Sequence, residues 1–286
     1  LIKEVQHLLN QSDARIKVAV AGINGRMGRA SLTPILKDGA FELVGAFGRT
    51  GAPYVGCDLS EFTDATEDRS QLGIPVCSSF DHLLEFTHPD AIIVLMVADA
   101  SFACAKQALE NGIRPVIGAS GLSKDQIAEL SVLASERQMG ALLVPNFSIG
   151  AVLMMEFAKQ ASKYYGNAEI VEMHHTKKLD APSGTAVHTV NKMASGGKKF
   201  NVKEVTEHES MPHVRGAEHS SGIRVHSLRL PGLISHQDVI FGSDGELLTI
   251  RHDSFNTNCF LRGIALSLKA VMQLTELKIG LETILE

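Results

Sequence analysis

The sequence predicts an α/β fold in two parts: a doubly wound parallel sheet, then a smaller α+β part built on a mixed or antiparallel sheet. Three observations carry this expectation. From Ile16 to Gly150, short apolar runs alternate with helix-like stretches, the pattern of strands covered by helices on both faces. The first apolar run passes straight into a loop with glycines at every third position and then into a helix. After Ile149 the strand candidates follow one another with few helices between them. A chain of 286 residues is long enough for two such parts, each with its own core.

In order, the strand candidates of the first part are Ile16–Ala21, Phe41–Phe47, Ala91–Met96, Arg114–Ile117 and Ala141–Val144. Helix-like segments lie between them at Met27–Lys37, Phe80–Phe86, Ser101–Asn111 and Lys124–Arg137. A helix from Ile149 to about Tyr165 opens the second part. Strands are then expected at Ala168–His175, Ile223–Leu230, Asp238–Gly242 and Glu246–Asp253, with a helix from Ser183 to about Ala194. Ser195–Lys199 reads as an exposed loop. The last helix, Phe260–Leu274, carries a continuous apolar face, and packing it on the first part gives a discontinuous architecture. The expected divisions are an N-terminal extension at 1–12, a first domain at 13–146 completed by 259–286, and a second domain at 147–258.

Composition narrows the function. Hydrophobic residues make up 44% and charged residues 21%, an ordinary globular balance. The net charge of −5 argues against nucleic acid and against anionic membrane surfaces, so an anionic ligand needs a local cluster of positive groups. No stretch approaches the roughly 20 apolar residues of a membrane span. Cys57, Cys77, Cys104 and Cys259 are scattered, without metal-ligand spacing or a disulfide framework. They fit a reducing compartment, the cytoplasm, and no metal is expected.

The glycine loop is Gly22-Ile23-Asn24-Gly25-Arg26-Met27-Gly28. Glycine triplets alone most often mark a turn. A strand before and a helix after convert this one into a dinucleotide fingerprint, in which backbone N–H groups and the helix N-terminus face a pyrophosphate. The first part is therefore expected to be Rossmann-like. The tip of the second strand, Phe47-Gly48-Arg49, carries no carboxylate to take a ribose 2′-OH, whereas Arg49, with Arg26 as a second candidate, suits a 2′-phosphate. NADPH is favoured and NADH stays open. Gly118-Ala119-Ser120-Gly121 follows a strand on the same sheet edge and is expected near the nicotinamide.

The segment Glu172-Met173-His174-His175-Thr176-Lys177-Lys178-Leu179-Asp180-Ala181-Pro182-Ser183-Gly184-Thr185-Ala186 leaves a strand, passes a basic pair and enters a helix. On a strand His174 and His175 point to opposite faces. A Ser-Gly-Thr helix start offers N–H groups and a favourable dipole to an anion. Lys178 adds full charge, and a histidine donates a proton near neutral pH. These residues suit a small carboxylated substrate that receives a proton.

The same segment resembles the signature E-x-H-H-x-x-K-x-D-A-P-S-G-T-A of the dihydrodipicolinate reductase family at every fixed position. Pro145-Asn146-Phe147-Ser148-Ile149-Gly150 resembles that family's hinge motif, and Ala21–Gly28 its cofactor loop. Val225–Leu233 and His236–Gly242 extend the likeness over nearly the whole chain. The resemblance implies an NAD(P)H-dependent reduction of a cyclic dicarboxylate, 4-hydroxy-tetrahydrodipicolinate, to tetrahydrodipicolinate in lysine biosynthesis. It implies His174 as general acid with Lys178 as its charged partner. His175, Ser183, Gly184 and Thr185 would contact the substrate. Gly22, Asn24, Gly25, Arg26, Met27, Gly28, Arg49, Gly118, Ser120, Asn146 and Phe147 would contact the cofactor. A homotetramer formed through the second-domain sheet is also implied. Two departures stand out: Val94-Leu95-Met96 occupies the place of a common Asp-Phe-Thr, and Thr257 that of a common arginine, with Asn256 or Arg251 near enough in sequence to compensate.

Overall fold

The computed structural model describes residues 15–63, 71–202, 205 and 208–285; the extension expected at 1–12 lies outside them. The chain divides into two compact units, Leu1–Phe147 with Phe260–Glu286, and Ser148–Cys259.

The first unit is built on seven parallel strands: β1 (Ile16–Ala21), β2 (Phe41–Phe47), β3 (Val76–Cys77), β4 (Ala91–Val94), β5 (Arg114–Ile117), β6 (Ala141–Leu143) and β12 (Leu277–Ile279). Their spatial order is β12-β6-β5-β4-β1-β2-β3. The chain winds outward from β1 to β3, returns beside β1 as β4 and winds the other way, which is the doubly wound Rossmann order with its switch point between β1 and β4. Val18–Ala21 and Ala91–Val94 are wholly buried, because helices cover both faces and leave no polar side to alternate with. Beyond β6, the C-terminal segment adds the seventh strand. The helix Leu261–Ala270 packs on Arg26–Lys37, where Lys269 pairs with Asp38 at 2.6 Å.

Several boundaries differ from the expected ones for identifiable reasons. β4 stops at Val94 rather than Met96 because its neighbours stop too: Val94 pairs with Ala21 and Ile117, the last residues of β1 and β5. The following helix begins earlier than expected, at Ala98. Arg26, read as a loop residue, is the first residue of its helix. The last helix ends at Ala270 and tightens into a short 3₁₀ turn, Val271–Gln273.

The second unit carries a mixed five-stranded sheet of β7 (Asn167–His174), β8 (Ala217–Glu218), β9 (Arg224–Arg229), β10 (Ser235–Ser243) and β11 (Glu246–Ser254), ordered β11-β10-β7-β9-β8. Only β7 and β9 run parallel. The helices Ile149–Ala161 and Gly184–Met193 pack against each other. Along β7 burial alternates, with Ala168, Ile170, Glu172 and His174 inward. Two apolar residues and two ionisable ones thus share one face of one strand. Among the described residues no helix is long and apolar enough to cross a membrane.

Candidate active site

In the first unit, the parallel strands deliver their carboxyl ends to one edge, the edge where ligands collect in open α/β sheets. Gly22 leaves β1 with φ +84°, a conformation that costs other L-residues energy. A Cβ there would stand 2.4 Å from the Leu95 carbonyl oxygen. A Cβ on Gly28 would stand 2.2 Å from the Gly22 oxygen, so the helix Arg26–Lys37 approaches β1 only because Gly28 has none. Gly25, by contrast, would meet nothing nearer than 3.4 Å. The first and third glycines serve the turn and the packing, and the second leaves its backbone open to the edge. This is the division of labour that a pyrophosphate site needs.

The neighbouring loops occupy the same edge. Arg26 and Arg49 are both exposed, and Tyr54 Oη accepts from the Arg49 backbone N–H at 3.0 Å. Asn24 accepts from Arg29 at 2.8 Å, and Arg29 stacks over the Phe62 ring. Gly118 follows β5; its missing Cβ leaves room for Leu95 and Phe147, whose nearest atoms would lie at 2.4 and 2.7 Å. Ser120 is exposed, Met27 and Asn146 half-buried and Phe147 buried. No carboxylate stands in the Phe47-Gly48-Arg49 tip.

In the second unit, the inward end of β7 holds a hydrogen-bonded cluster. The Glu172 carboxylate is wholly buried. Arg229, its neighbour but one on β9, grips it bidentately: one NH2 group donates to Oε2 at 2.9 Å and the other to Oε1 at 2.8 Å. His174 Nδ1 lies 2.5 Å from Oε2, and the Ser183 backbone N–H donates to Oε1 at 3.2 Å. Arg229 also donates to the Asp180 carbonyl at 2.9 Å, and Lys178 pairs with the Asp180 carboxylate at 2.7 Å. Ser183 caps the helix Gly184–Met193, its hydroxyl accepting from Ala186 N–H, a contact worth about 1 kcal/mol. A Cβ placed on Gly184 would have nothing within 4 Å, so the first helical position faces open space.

The ionisation of this cluster follows from its contacts. Burial pushes the Glu172 carboxyl up, but hydrogen bonds from Arg229, Ser227 and His174, with the charge of Arg229, outweigh it and hold the group below the usual carboxylate range. For His174, burial lowers the imidazole. The bond to Glu172 and its charge pull the other way, Lys178 and Arg229 push it further down, and the net is a lowered value. An ionised Glu172 can only accept, so Nδ1 of His174 carries hydrogen and Nε2 is the nitrogen left for chemistry.

His174, Lys178 and the Ser183-Gly184-Thr185 helix start are thus gathered within one unit. His175 lies just past the end of β7, half-buried, with Nδ1 buried and without a hydrogen-bond partner among the described residues. Arg251, weighed as a stand-in for the missing arginine, is committed elsewhere: it bonds both carboxylates of Asp253 and Asp238 at 2.9–3.2 Å. Thr257 is exposed at the start of a 3₁₀ turn, and Asn256 caps Asn258 N–H. Residue type alone does not single out Glu172 and Arg229 in the sequence. The available signal was parity, since Glu172 shares its strand face with Ala168, Ile170 and His174.

Comparison with known proteins covers both units. Residues 16–147 match the family model described as dihydrodipicolinate reductase, N-terminus, and residues 150–285 the one described as dihydrodipicolinate reductase, C-terminus. A 4-hydroxy-tetrahydrodipicolinate reductase of Synechococcus elongatus is 42% identical over 283 residues, covering 94% of this chain and 98% of the relative. One from Enterococcus faecalis is 44% identical over 273 residues, covering 94% and 100%. Among solved structures, a dipicolinate-bound dihydrodipicolinate reductase from Paenisporosarcina sp. TG-14 superposes with a TM-score of 0.84 at 38% identity, over 95% of this chain and 100% of that one. An amine dehydrogenase from Mycobacterium smegmatis, 16% identical with a TM-score of 0.63 over 92% and 93%, shares the fold.

Proposed function

The chain belongs to the dihydrodipicolinate reductase family and is a nicotinamide-dependent oxidoreductase that reduces 4-hydroxy-tetrahydrodipicolinate, and we propose that it prefers NADPH and uses His174 as the proton donor. The observation that carries this reading is the second-unit cluster. It sets His174, with its Nε2 left for chemistry, in one network with Lys178 and the helix start that Ser183 caps.

The glycine loop fits a dinucleotide, because Gly22 and Gly28 leave no room for side chains while Gly25 exposes backbone. Bound there, the nicotinamide supplies the hydride. Gly22, Asn24, Gly25, Arg26, Met27 and Gly28 would hold the pyrophosphate end, Arg49 the 2′-phosphate, and Gly118, Ser120, Asn146 and Phe147 the nicotinamide end. Arg26 and Arg49 support the NADPH preference: both are exposed, and no carboxylate stands beside Arg49 to bind a ribose 2′-OH instead.

On the substrate side, one carboxylate would sit at the Ser183-Gly184-Thr185 helix start, where N–H groups and the helix dipole favour an anion. Lys178 supplies a full positive charge beside it, and His175 a further polar contact. His174 delivers from Nε2 the proton that accompanies the hydride, and water is lost from the 4-hydroxyl carbon. His174 is depressed in the free protein, and a dianionic substrate beside it raises its proton affinity. The substrate thereby charges its own acid. A homotetramer through the second-unit sheet and a cytoplasmic setting, in keeping with four free cysteines, complete the reading.

The test is NADPH oxidation with substrate generated in place from pyruvate and aspartate semialdehyde by an aldolase, with NADH in parallel. Aldolase-dependent oxidation that is faster at low NADPH than at equal NADH supports the reading. Equal rates with both cofactors would remove the role given to Arg49. Light scattering on the same preparation reads the subunit number.

A further inference from the structure

We propose that Glu172 is the positioning residue of this site, one buried carboxylate that fixes the tautomer and aim of His174 and bolts the carboxylate-binding helix start to it. The proposal rests on the reading of His174 as proton donor. Nothing in the family signature requires an acid at this place to touch substrate, and Glu172 has no surface from which to do so, being 0% exposed. Every group that reaches its oxygens is a donor: two NH2 groups of Arg229, His174 Nδ1–H, the Ser183 N–H and the Ser227 hydroxyl. Only an ionised carboxylate accepts all of these at once. An amide in its place would turn an NH2 group against at least one of them.

Two consequences follow from the connectivity. With Nδ1–H committed to Glu172, a proton taken up or given by the imidazole travels through Nε2, so the direction of proton delivery is set by a residue outside the substrate cavity. Second, Oε2 holds the imidazole while Oε1 holds the amide of Ser183, the N-cap of the helix that would receive the carboxylate. Donor and cradle are therefore spaced by the two oxygens of one group, and the bidentate Arg229 prevents that group from rotating. The charges facing His174 are Glu172 on its own strand, Arg229 on β9, and Lys178 with Asp180 in the following loop. β10 contributes only neutral Ser235 and Gln237 opposite His174 and Glu172. Against two cations, Glu172 is the nearest group that favours the imidazolium.

Wild-type protein decides the first half: nitrogen-15 NMR of neutral His174 is expected to show the Nδ1–H tautomer, and an Nε2–H tautomer would overturn the proposal without any variant having to fold. Glu172→Gln then tests the rest. The His174 titration midpoint is expected to move to lower pH by roughly one unit or more, because an opposite charge at hydrogen-bond distance is removed. Turnover at pH 8 should fall on the order of 10- to 100-fold, with KM for the dicarboxylate raised and KM for NADPH unchanged. An unmoved midpoint, or an unmoved KM for the dicarboxylate, shows a merely structural glutamate whatever the melting temperature. His174→Gln runs alongside. If it keeps wild-type kcat, the proton-donor reading itself fails. If it is inactive while Glu172→Gln keeps wild-type kcat and midpoint, only the present inference fails.

Discussion

Two buried titratable side chains, Glu172 and His174, and the half-buried His252 make the stability of the second unit sensitive to acid. His174 and His252 are both held below the usual histidine value. For His252 the largest cause is burial, which Asp253 opposes and His236 reinforces. Glu172 is held below the usual glutamate value. In each case the unfolded chain binds more protons than the folded one between the two pKa values, so stability rises with pH there. The contributions are complete above the unfolded values and are lost as pH falls, from about 6.5 downward for the histidines and from about 4.3 downward for Glu172. The urea midpoint of unfolding is expected to drop between pH 7.5 and 5.5 and to drop again below pH 4.5. A midpoint that rises on acidification would contradict the buried cluster. Thr257 carries a second prediction at this scale. With Arg251 tied to two aspartates, Thr257→Arg is expected to add a charge-assisted contact of about 1.5–3 kcal/mol to the dicarboxylate. Steady-state kinetics should show KM for the dicarboxylate lowered roughly tenfold or more, and an unchanged KM would mean that position 257 does not face the substrate. His174, Lys178 and Ser183 were legible because their residue types carry chemistry openly. Glu172 and Arg229 were not, because a glutamate and an arginine read as solvent-facing until β7 and β9 lie side by side, where Arg229 stands opposite His174 and reaches along the strand to Glu172.

Elements divide the same way between legible and hidden. β1, β2, β4, β5 and β6 announce themselves by apolar runs with helices between, and the glycine loop by its spacing. β3 and β8 are two residues long and β12 three, too short for any periodicity; they exist because neighbours offer them unpaired edges. The end of β4 shows the same dependence, since Leu95 and Met96 are apolar enough for a strand, but after the Leu95 N–H bond to Ala21 the ladders with β1 and β5 have ended. The glycine loop gives the sharpest test of what each element position does. Gly28→Ala drives a Cβ against backbone and should lower stability by about 1–3 kcal/mol, read as a fall in melting temperature. Gly25→Ala meets only an ordinary contact at 3.4 Å and should leave the melting temperature close to wild type. Its cost should appear in NADPH affinity, measured by fluorescence titration, as a loss on the order of tenfold. If Gly25→Ala binds NADPH normally, the pyrophosphate does not approach that backbone.

Across the whole molecule, the first unit is assembled from both ends of the chain. Leu277 and Leu281 are buried in it, Gly280 N–H donates to Leu143 at 2.8 Å, and Ala141 N–H donates to Glu276 at 3.2 Å. A chain stopped after Gln273 loses those two side chains and exposes the β6 edge. It should lose about 2–5 kcal/mol for each buried leucine removed, aggregate through the bare edge and bind NADPH poorly. Light scattering and the fluorescence titration check this, and a monodisperse, fully binding truncate would show that β12 is dispensable. The discontinuity was legible only as an orphan apolar helix at Phe260–Leu274; the strand that follows it was hidden by its length.

The place of β12 also has a meaning in time. A ribosome releases residues in order, and the second unit, Ser148–Cys259, emerges complete while the first still lacks its last strand. The nascent chain must hold β6 unpaired on one side through the synthesis of more than a hundred residues, with Ala141, Leu142 and Leu143 at the open margin. The interval in which this protein is most open to wrong pairing, and to the chaperones that prevent it, is therefore written into the chain's connectivity rather than into any one residue.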